Sequence, residues 1–325
     1  MVEQILEYPQ LYRWKVSSSV PDVRNRYLLV DRQEVLAVDP DLRTKEDWIH
    51  LEDAIQQIPG EKKLKKVFLT HLHSNWMDFS PELIPSSVKL LVSKADCRLS
   101  GQKEPWEYQR RWYRREGFPL HQLKEYNGED MRWTGLKEDI NTIEPGEIVG
   151  VGELKLRCLR LPGHTPGHTA LFLPTEALAF SGDTLLLDRL PYVGVWKGHP
   201  HALEQYLDSL EILRNTALQK IFPAHGAWGD LPAQRIDDIV QYYYLRLLEL
   251  YQLVWNHPGL TAYELASRFR WRQKPWETLT AKQQWFAMGE TLAHLVYLRK
   301  RKYVETKRGT GYLINIPGKR KLTDM

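Results

Sequence analysis

Four histidines and one aspartate carry the residue types and spacing that metal-assisted chemistry needs. His71 and His73 stand in Thr70-His-Leu-His, His164 in Pro162-Gly-His-Thr-Pro-Gly-His168, Asp183 in Ser181-Gly-Asp-Thr, and His225 in Pro223-Ala-His-Gly. Neutral imidazoles and a carboxylate in a compact shell are what zinc prefers, and an open coordination position lets it activate water. His71 and His73 alternate along extended or turning backbone and so can point the same way. Gly163 admits backbone angles that let His164 approach closely. Each fragment alone is a weak signal. Their occurrence in this order, each after a predicted strand, is a strong one. His199 and His201 are further candidates, better read as surface residues at a loop and helix start. Asp78, three residues past Asn75, reaches the site only through a shifted turn.

The elements that must position these residues can be read from short apolar runs. Tyr27–Val30 and Val35–Val38 read as two strands joined across Asp31-Arg-Gln-Glu34, and Lys45–Ile58 has a helical repeat stopped by Pro59-Gly60. Lys66–Thr70 is a strand with His71 and His73 just past its end, a place where loops of open α/β layers splay into a crevice. Leu154–Leu161 alternates as a half-buried strand does and ends at Pro162-Gly163, which presents His164. Ala170–Leu173 and Ala177–Phe180 form a hairpin delivering Asp183, and a helix from about Ala202 to Arg214 precedes Lys220-Ile-Phe222 and His225. Residues 104–116 are expected to be a helix with Tyr108, Trp112 and Arg115 on one face, either a half-buried lid over the crevice or a solvated or partner-binding face.

Beyond residue 230 the texture changes. An amphipathic helix from Pro232 to Trp255 ends at His257-Pro-Gly259. A threonine-capped helix follows over Leu260–Phe269, then a longer one from about Ala281 to Arg301. A two-stranded wing over residues 303–316 completes the order of a winged helix. From residue 257 onward 14 Lys/Arg face 5 Asp/Glu, a balance of +9 that leaves −5 for residues 1–256 of a chain with net charge +4. Two cysteines outside any Cys-x-x-Cys pair give no disulfide framework. With no basic-then-apolar N-terminus and no run long enough to span a bilayer, a cytoplasmic protein without membrane association is expected.

Taken together, the histidine and aspartate blocks resemble the metallo-β-lactamase superfamily, in a glyoxalase II-like form. Stretches such as Trp285–Leu295 resemble the winged-helix extension of some bacterial hydrolases with that fold. The resemblance implies an α/β (α+β) architecture: an αβ/βα sandwich over 1–230, a connecting helix over 231–257 and a winged-helix domain over 258–325. It implies that His71, His73 and His164 hold a first metal with Asp183 bridging, that Asp183 and His225 remain from a second site, and that His168 supports the ligands without being one. The family's first block reads His-x-His-x-Asp-His, whereas this chain has Asn75 and Trp76 at the last two positions. An amide oxygen ligates weakly and an indole has no free lone pair to offer. The second metal position is therefore degenerate, and one zinc ion is expected rather than two.

The expected activity is metal-dependent hydrolysis of an ester, thioester or lactone, with Asp183 and His225 as the catalytic residues. The alternative is a non-catalytic binding or regulatory protein in which Trp76 fills the vacated metal pocket. A nuclease ranks third. A small-molecule substrate is the expected partner, with a homodimer as the assembly. Nucleic acid ranks below both, since the negative first part opposes a phosphate backbone. Replacing Asn75→Asp together with Trp76→His is predicted to raise bound metal from about one toward two equivalents per chain, because it restores a carboxylate and an imidazole. Elemental analysis of the purified double variant checks this, and a folded variant with no extra metal contradicts it.

Overall fold

The structure is a computed structural model that describes residues 2–14, 24–42, 44–72, 83–100, 105–126, 141–230, 232–269, 271 and 274–321. The chain divides into two compact units. The first contains Met1–Lys103, Trp133–Pro191 and Asp208–Ile236, and the second Glu104–Arg132, Tyr192–Leu207 and Asp237–Met325.

Two sheets build the first unit. Strands β1 (Val2–Leu6), β2 (Gln10–Trp14), β3 (Arg26–Asp31), β4 (Glu34–Val38), β5 (Lys63–Phe68), β6 (Lys89–Ser93) and β7 (Asn141–Ile143) lie in chain order. Pairing is antiparallel from β1 to β4 and parallel from β4 to β7. The second sheet takes β8 (Ile148–Val151), β9 (Leu154–Arg160), β10 (Thr169–Leu173), β11 (Leu178–Gly182), β12 (Lys220–Pro223) and β13 (Gly229–Asp230) in reverse order, with only β11 and β12 parallel.

Alternation along β3 explains the layering. Tyr27 and Leu29 face one way and join Phe180, Phe222, Leu156 and Leu171 in a core between the sheets. Leu28 and Val30 face the other way and pack with Leu51, Ala54 and Ile55 of helix α1 (Lys45–Gln56). Burial on both faces is why β3 reads as a continuous apolar run. Helix α1 starts at Thr44, whose hydroxyl accepts from Asp47 N while the Asp47 carboxylate accepts from Thr44 N, a capping box that offsets two orphan donors. The expected strands, hairpin and helices around the site residues are all present. The outermost strands β1 and β2 and the short helix α2 (Lys94–Ser100) come in addition. No described helix is long and apolar enough to cross a membrane.

The second unit is mainly helical. It holds α3 (Pro105–Arg115), α4 (Gln122–Glu125), the start of α5 (Ala202–Asn215), most of α6 (Ala233–Asn256), α7 (Ala262–Arg268) and α8 (Ala281–Lys300). A hairpin of β14 (Val304–Arg308) and β15 (Leu313–Pro317) ends it. Helix α3 forms over the expected residues, but the face it buries is Gln109 and Tyr113, continuing to Glu116 beyond its end, while Tyr108 is exposed. The large rings at 108 and 112 favour the other stripe when the sequence is read alone. Tyr113 packs with its ring centre 4.1 Å from that of the fully buried Trp285 of α8, tilted by 32°, and the buried Glu116 needs a cation beside it. Arg299 supplies that cation in a two-pronged contact, Nη1 and Nη2 each 2.9 Å from a Glu116 oxygen, and it also donates to Asn315 Oδ1 at 2.6 Å.

His294 of α8 is 5% exposed, and its Nδ1 donates to Glu290 O at 2.7 Å. Burial, helped by Arg246 and partly offset by that hydrogen bond, pushes its pKa down to about 4. The folded state therefore refuses a proton that the unfolded chain takes up below about pH 6.5. Stability contributed by neutral His294 is complete above that pH and is lost as pH falls toward 4. Chemical denaturation between pH 7 and pH 4 should show a loss of about 3 kcal/mol from this group, with the slope reduced in His294→Gln.

Candidate metal centre

Each described candidate ligand follows a strand end of the first unit. Beyond β5, Leu69 N still donates to Leu91 O, and the chain then turns at Thr70. Asp39, just past β4, receives Thr70 N and Thr70 Oγ1, each at 2.8 Å. Because that hydroxyl donates to Asp39, it accepts from His71 Nδ1 at 2.8 Å, which leaves Nε2 of His71 as the nitrogen turned toward Asp183. Burial pushes the Asp39 carboxyl up to about 7, against the pull of its two Thr70 hydrogen bonds; the charge on Asp183 adds to the rise.

His71 Nε2, His164 Nε2 and an Asp183 carboxylate oxygen converge. Both imidazoles face Asp183 Oδ2, at 4.0 and 3.6 Å, and all three ligand atoms lie within 4.8 Å of one another. Each residue is buried. His225 Nδ1 lies 2.7 Å from the other oxygen, Asp183 Oδ1. His168 stacks on His71 with ring centres 5.0 Å apart, but both its nitrogens are engaged. Nε2 accepts from Asp183 N at 2.9 Å and Nδ1 donates to Thr184 Oγ1 at 2.9 Å, which passes the chain on to Leu161 O. A histidine with both nitrogens so used orients the Asp183 turn and has no lone pair to give a cation.

His73, Asn75, Trp76 and Asp78 lie outside the described residues. His199 and His201 are not in the His71–His164–Asp183 group. Two buried imidazole nitrogens and a carboxylate fit a divalent ion of zinc's ligand preference, with the His71 and His164 nitrogens already oriented inward.

Asp96 is a site residue that no sequence motif singles out. It sits in α2 with no exposure, and its Oδ2 accepts from Leu72 N at 3.0 Å and Thr165 Oγ1 at 2.9 Å, while Oδ1 accepts from Gly167 N at 2.7 Å. One side chain thus ties the His71 loop to the His164–His168 turn. Burial pushes its carboxyl up to about 6 in spite of these bonds. A lone aspartate in Ser93-Lys-Ala-Asp carries no pattern, so only the folded chain exposes its role. Asn25 does the same for His225: its amide donates to Pro223 O at 3.0 Å and Gly226 O at 2.9 Å. Two glycines make these approaches feasible. A Cβ on Gly167 would lie 2.1 Å from Ser93 Oγ and 2.5 Å from Asp96 N, and one on Gly182 (φ +53°) would lie 2.5 Å from His168 Nε2.

Residues 89–225 match the family model of the Metallo-beta-lactamase superfamily. A metallo-beta-lactamase family protein of Thermus thermophilus has a solved structure that aligns with TM-score 0.74 at 26% identity, over 94% of this chain and 98% of that one. A beta-lactamase-like protein 2 homolog of Caenorhabditis elegans is 23% identical over 49% of each chain. A hydroxyacylglutathione hydrolase of Francisella tularensis subsp. holarctica is 24% identical over 67% of this chain and 68% of that protein. The chain spans half or less of the length of several curated relatives that it matches. The fold is that of the metallo-β-lactamase superfamily, and a His-His-Asp group stands at its strand ends.

Asp96→Asn replaces an oxygen that accepts hydrogen bonds with an NH2 that must face an N–H or O–H donor. It should cost about 1–3 kcal/mol of stability and weaken metal binding about 10–100-fold. Denaturant unfolding and metal titration check the two effects. A variant with unchanged metal affinity would show that the clamp does not position the ligands.

Proposed function

We propose that this chain is a metal-dependent hydrolase acting on an ester, thioester or lactone, with one zinc ion held by His71, His73, His164 and Asp183. The convergence of the His71 and His164 nitrogens with the Asp183 carboxylate is the observation that carries the reading. Bound there, a divalent ion supplies Lewis acidity, drawing a water's pKa toward ~7 and polarising a carbonyl. The chain's own groups do the rest. Asp183 Oδ2, aimed between the two imidazoles, would help hold the ion and orient the attacking water. His225, whose Nδ1 donates to Asp183 Oδ1, presents Nε2 as a lone pair that would take the water's proton and then hand it to the oxyanion or leaving group. His168 and Thr184 hold the Asp183 turn while charge shifts.

Among substrates, thioesters come first. The Francisella relative is named for a hydroxyacylglutathione, which is a thioester. Residues 258–325, in which α7, α8 and the β14–β15 hairpin follow one another in winged-helix order, are part of the same proposal, as is a homodimer. A non-catalytic role is the second reading, favoured by Asn75 and Trp76 at positions where the family has a carboxylate and an imidazole.

The test is metal analysis of the full chain together with a panel of thioesters, esters and lactones. About one equivalent of zinc is expected, with thioester hydrolysis that disappears along with the metal in His71→Ala combined with His164→Ala. Two tightly held equivalents would overturn the single-metal account. One equivalent with no turnover on any of the panel would favour the binding-protein reading.

A further inference from the structure

The basic excess of the C-terminal part has a focus. Within the second unit, an open pocket of about 470 Å³ is lined by Glu204, Lys300, Arg301, Lys302 and Arg320, four cations against one carboxylate. Its volume falls in the range of small-molecule sites, roughly 300–1,000 Å³.

The backbone around it is built to place charge. Helix α8 ends in a paired hydrogen-bond motif, Tyr303 N to Leu298 O at 3.0 Å and Lys302 N to Arg299 O at 3.0 Å. The residue between must be left-handed, a position that favours glycine, yet Lys302 takes it at φ +65°. The following chain is then stitched onto that turn, Gly318 N to Tyr303 O at 2.8 Å and Arg320 N to Lys302 O at 3.1 Å, which brings Arg320 beside Lys302. Arg320 also lies 5.3 Å from the Tyr303 ring centre and Arg301 3.6 Å from that of Tyr297, so both guanidinium groups are held in place.

Glu204 accounts for only part of the positive charge. It accepts from Lys300 Nζ at 2.6 Å and pairs with Arg301 Nη2 at 3.2 Å. Burial raises its carboxyl, but these two cations outweigh that and hold it below its ordinary value. Arg301 Nη1 is buried with no hydrogen-bond partner among the described residues. No described carboxylate pairs with Lys302 or Arg320. Lysine and arginine near a helix C-terminus commonly offset its partial charge of about −0.5, but Arg299 and Lys300 already sit in that last turn. Lys302 and Arg320 lie beyond it.

We propose that this pocket binds the anionic group of a small molecule carrying a diphosphate or two phosphoryl groups, a site separate from the metal centre. A net +3 lining calls for more than one negative charge, and guanidinium forks match phosphoryl oxygens in pairs. A nucleic-acid track fits less well. Glu204 interrupts the positive surface, and the described lining residues offer no aromatic face on which a base could stack.

Calorimetric titration of the full chain with inorganic pyrophosphate, inorganic phosphate and a single-stranded oligonucleotide tests the assignment. Pyrophosphate is expected to bind with Kd below about 1 mM. Inorganic phosphate should be at least about tenfold weaker. Lys302→Gly and Arg320→Gln should each weaken pyrophosphate by about tenfold or more. Glycine suits the left-handed position, so Lys302→Gly should keep or raise the unfolding temperature, which separates lost binding from lost folding. His71→Ala with His164→Ala should bind pyrophosphate as the unaltered protein does. Absence of saturable binding, binding that survives Lys302→Gly and Arg320→Gln, or binding lost with the two histidines would each overturn the proposal. So would an oligonucleotide that binds more tightly than pyrophosphate and competes with it, which would make the pocket part of a nucleic-acid surface.

Discussion

A carboxylate taken out of water must be compensated, and the candidate metal centre is organised around three that are. Asp39, Asp96 and Asp183 are each less than a tenth exposed. Asp39 accepts from Thr70 and Asp96 from Leu72, Thr165 and Gly167, while Asp183 accepts from His225 and faces the inward nitrogens of His71 and His164 at 4.0 and 3.6 Å. A lone buried charge would cost several kcal/mol, so these loops hold their geometry because departing from it strands an anion. The sheets bring the loops to the same end of the unit. The carboxylates then set the distances between them.

The sandwich beneath explains why the loops meet there at all. Parallel pairing of β4, β5 and β6 in one sheet, and of β11 and β12 in the other, turns the ends of several strands toward the same region. Apolar side chains from both sheets interlock below that region, with Tyr27 against Phe180 at 5.5 Å and Phe222 at 5.6 Å. Tyr27 also joins the sheets through a polar tip, its hydroxyl donating to Pro223 O at 2.9 Å, two residues before His225. A core residue of the first sheet thereby fixes the backbone that carries a site residue of the second. The burial that stabilises the sandwich and the placement of the site are the same set of contacts seen from two ends.

Much of this was legible in the sequence, for reasons that differ by element. The strands next to the site were legible because doubly buried runs such as Tyr27–Val30 and alternating ones such as Leu154–Leu161 carry period and length together. His71, His164, Asp183 and His225 were legible because metal chemistry narrows the residue types. Asp96, Asp39 and Asn25 were not, since a polar residue whose partners are backbone N–H and C=O groups tens of residues away leaves no local pattern. Gln109 and Tyr113 were missed as the buried face of α3 because size and aromaticity favoured Tyr108 and Trp112. The buried face is set by Tyr113 against Trp285 and by Glu116 paired with Arg299, 183 residues away.

The supports of the described donors come from several segments of the chain. Thr70 fixes the tautomer of His71, Thr184 and Leu161 fix that of His168, and Asn25 holds the backbone at His225. A neutral imidazole that turns a ring lone pair toward a buried carboxylate does not offset its negative charge. A protonated histidine could meet it with a full charge, but only by giving up a ring nitrogen that the network otherwise turns inward. A divalent cation supplies the charge and uses the inward-facing nitrogens together. On that physical ground a cation-bound state accounts for more of the observed arrangement than a set of hydrogen bonds alone.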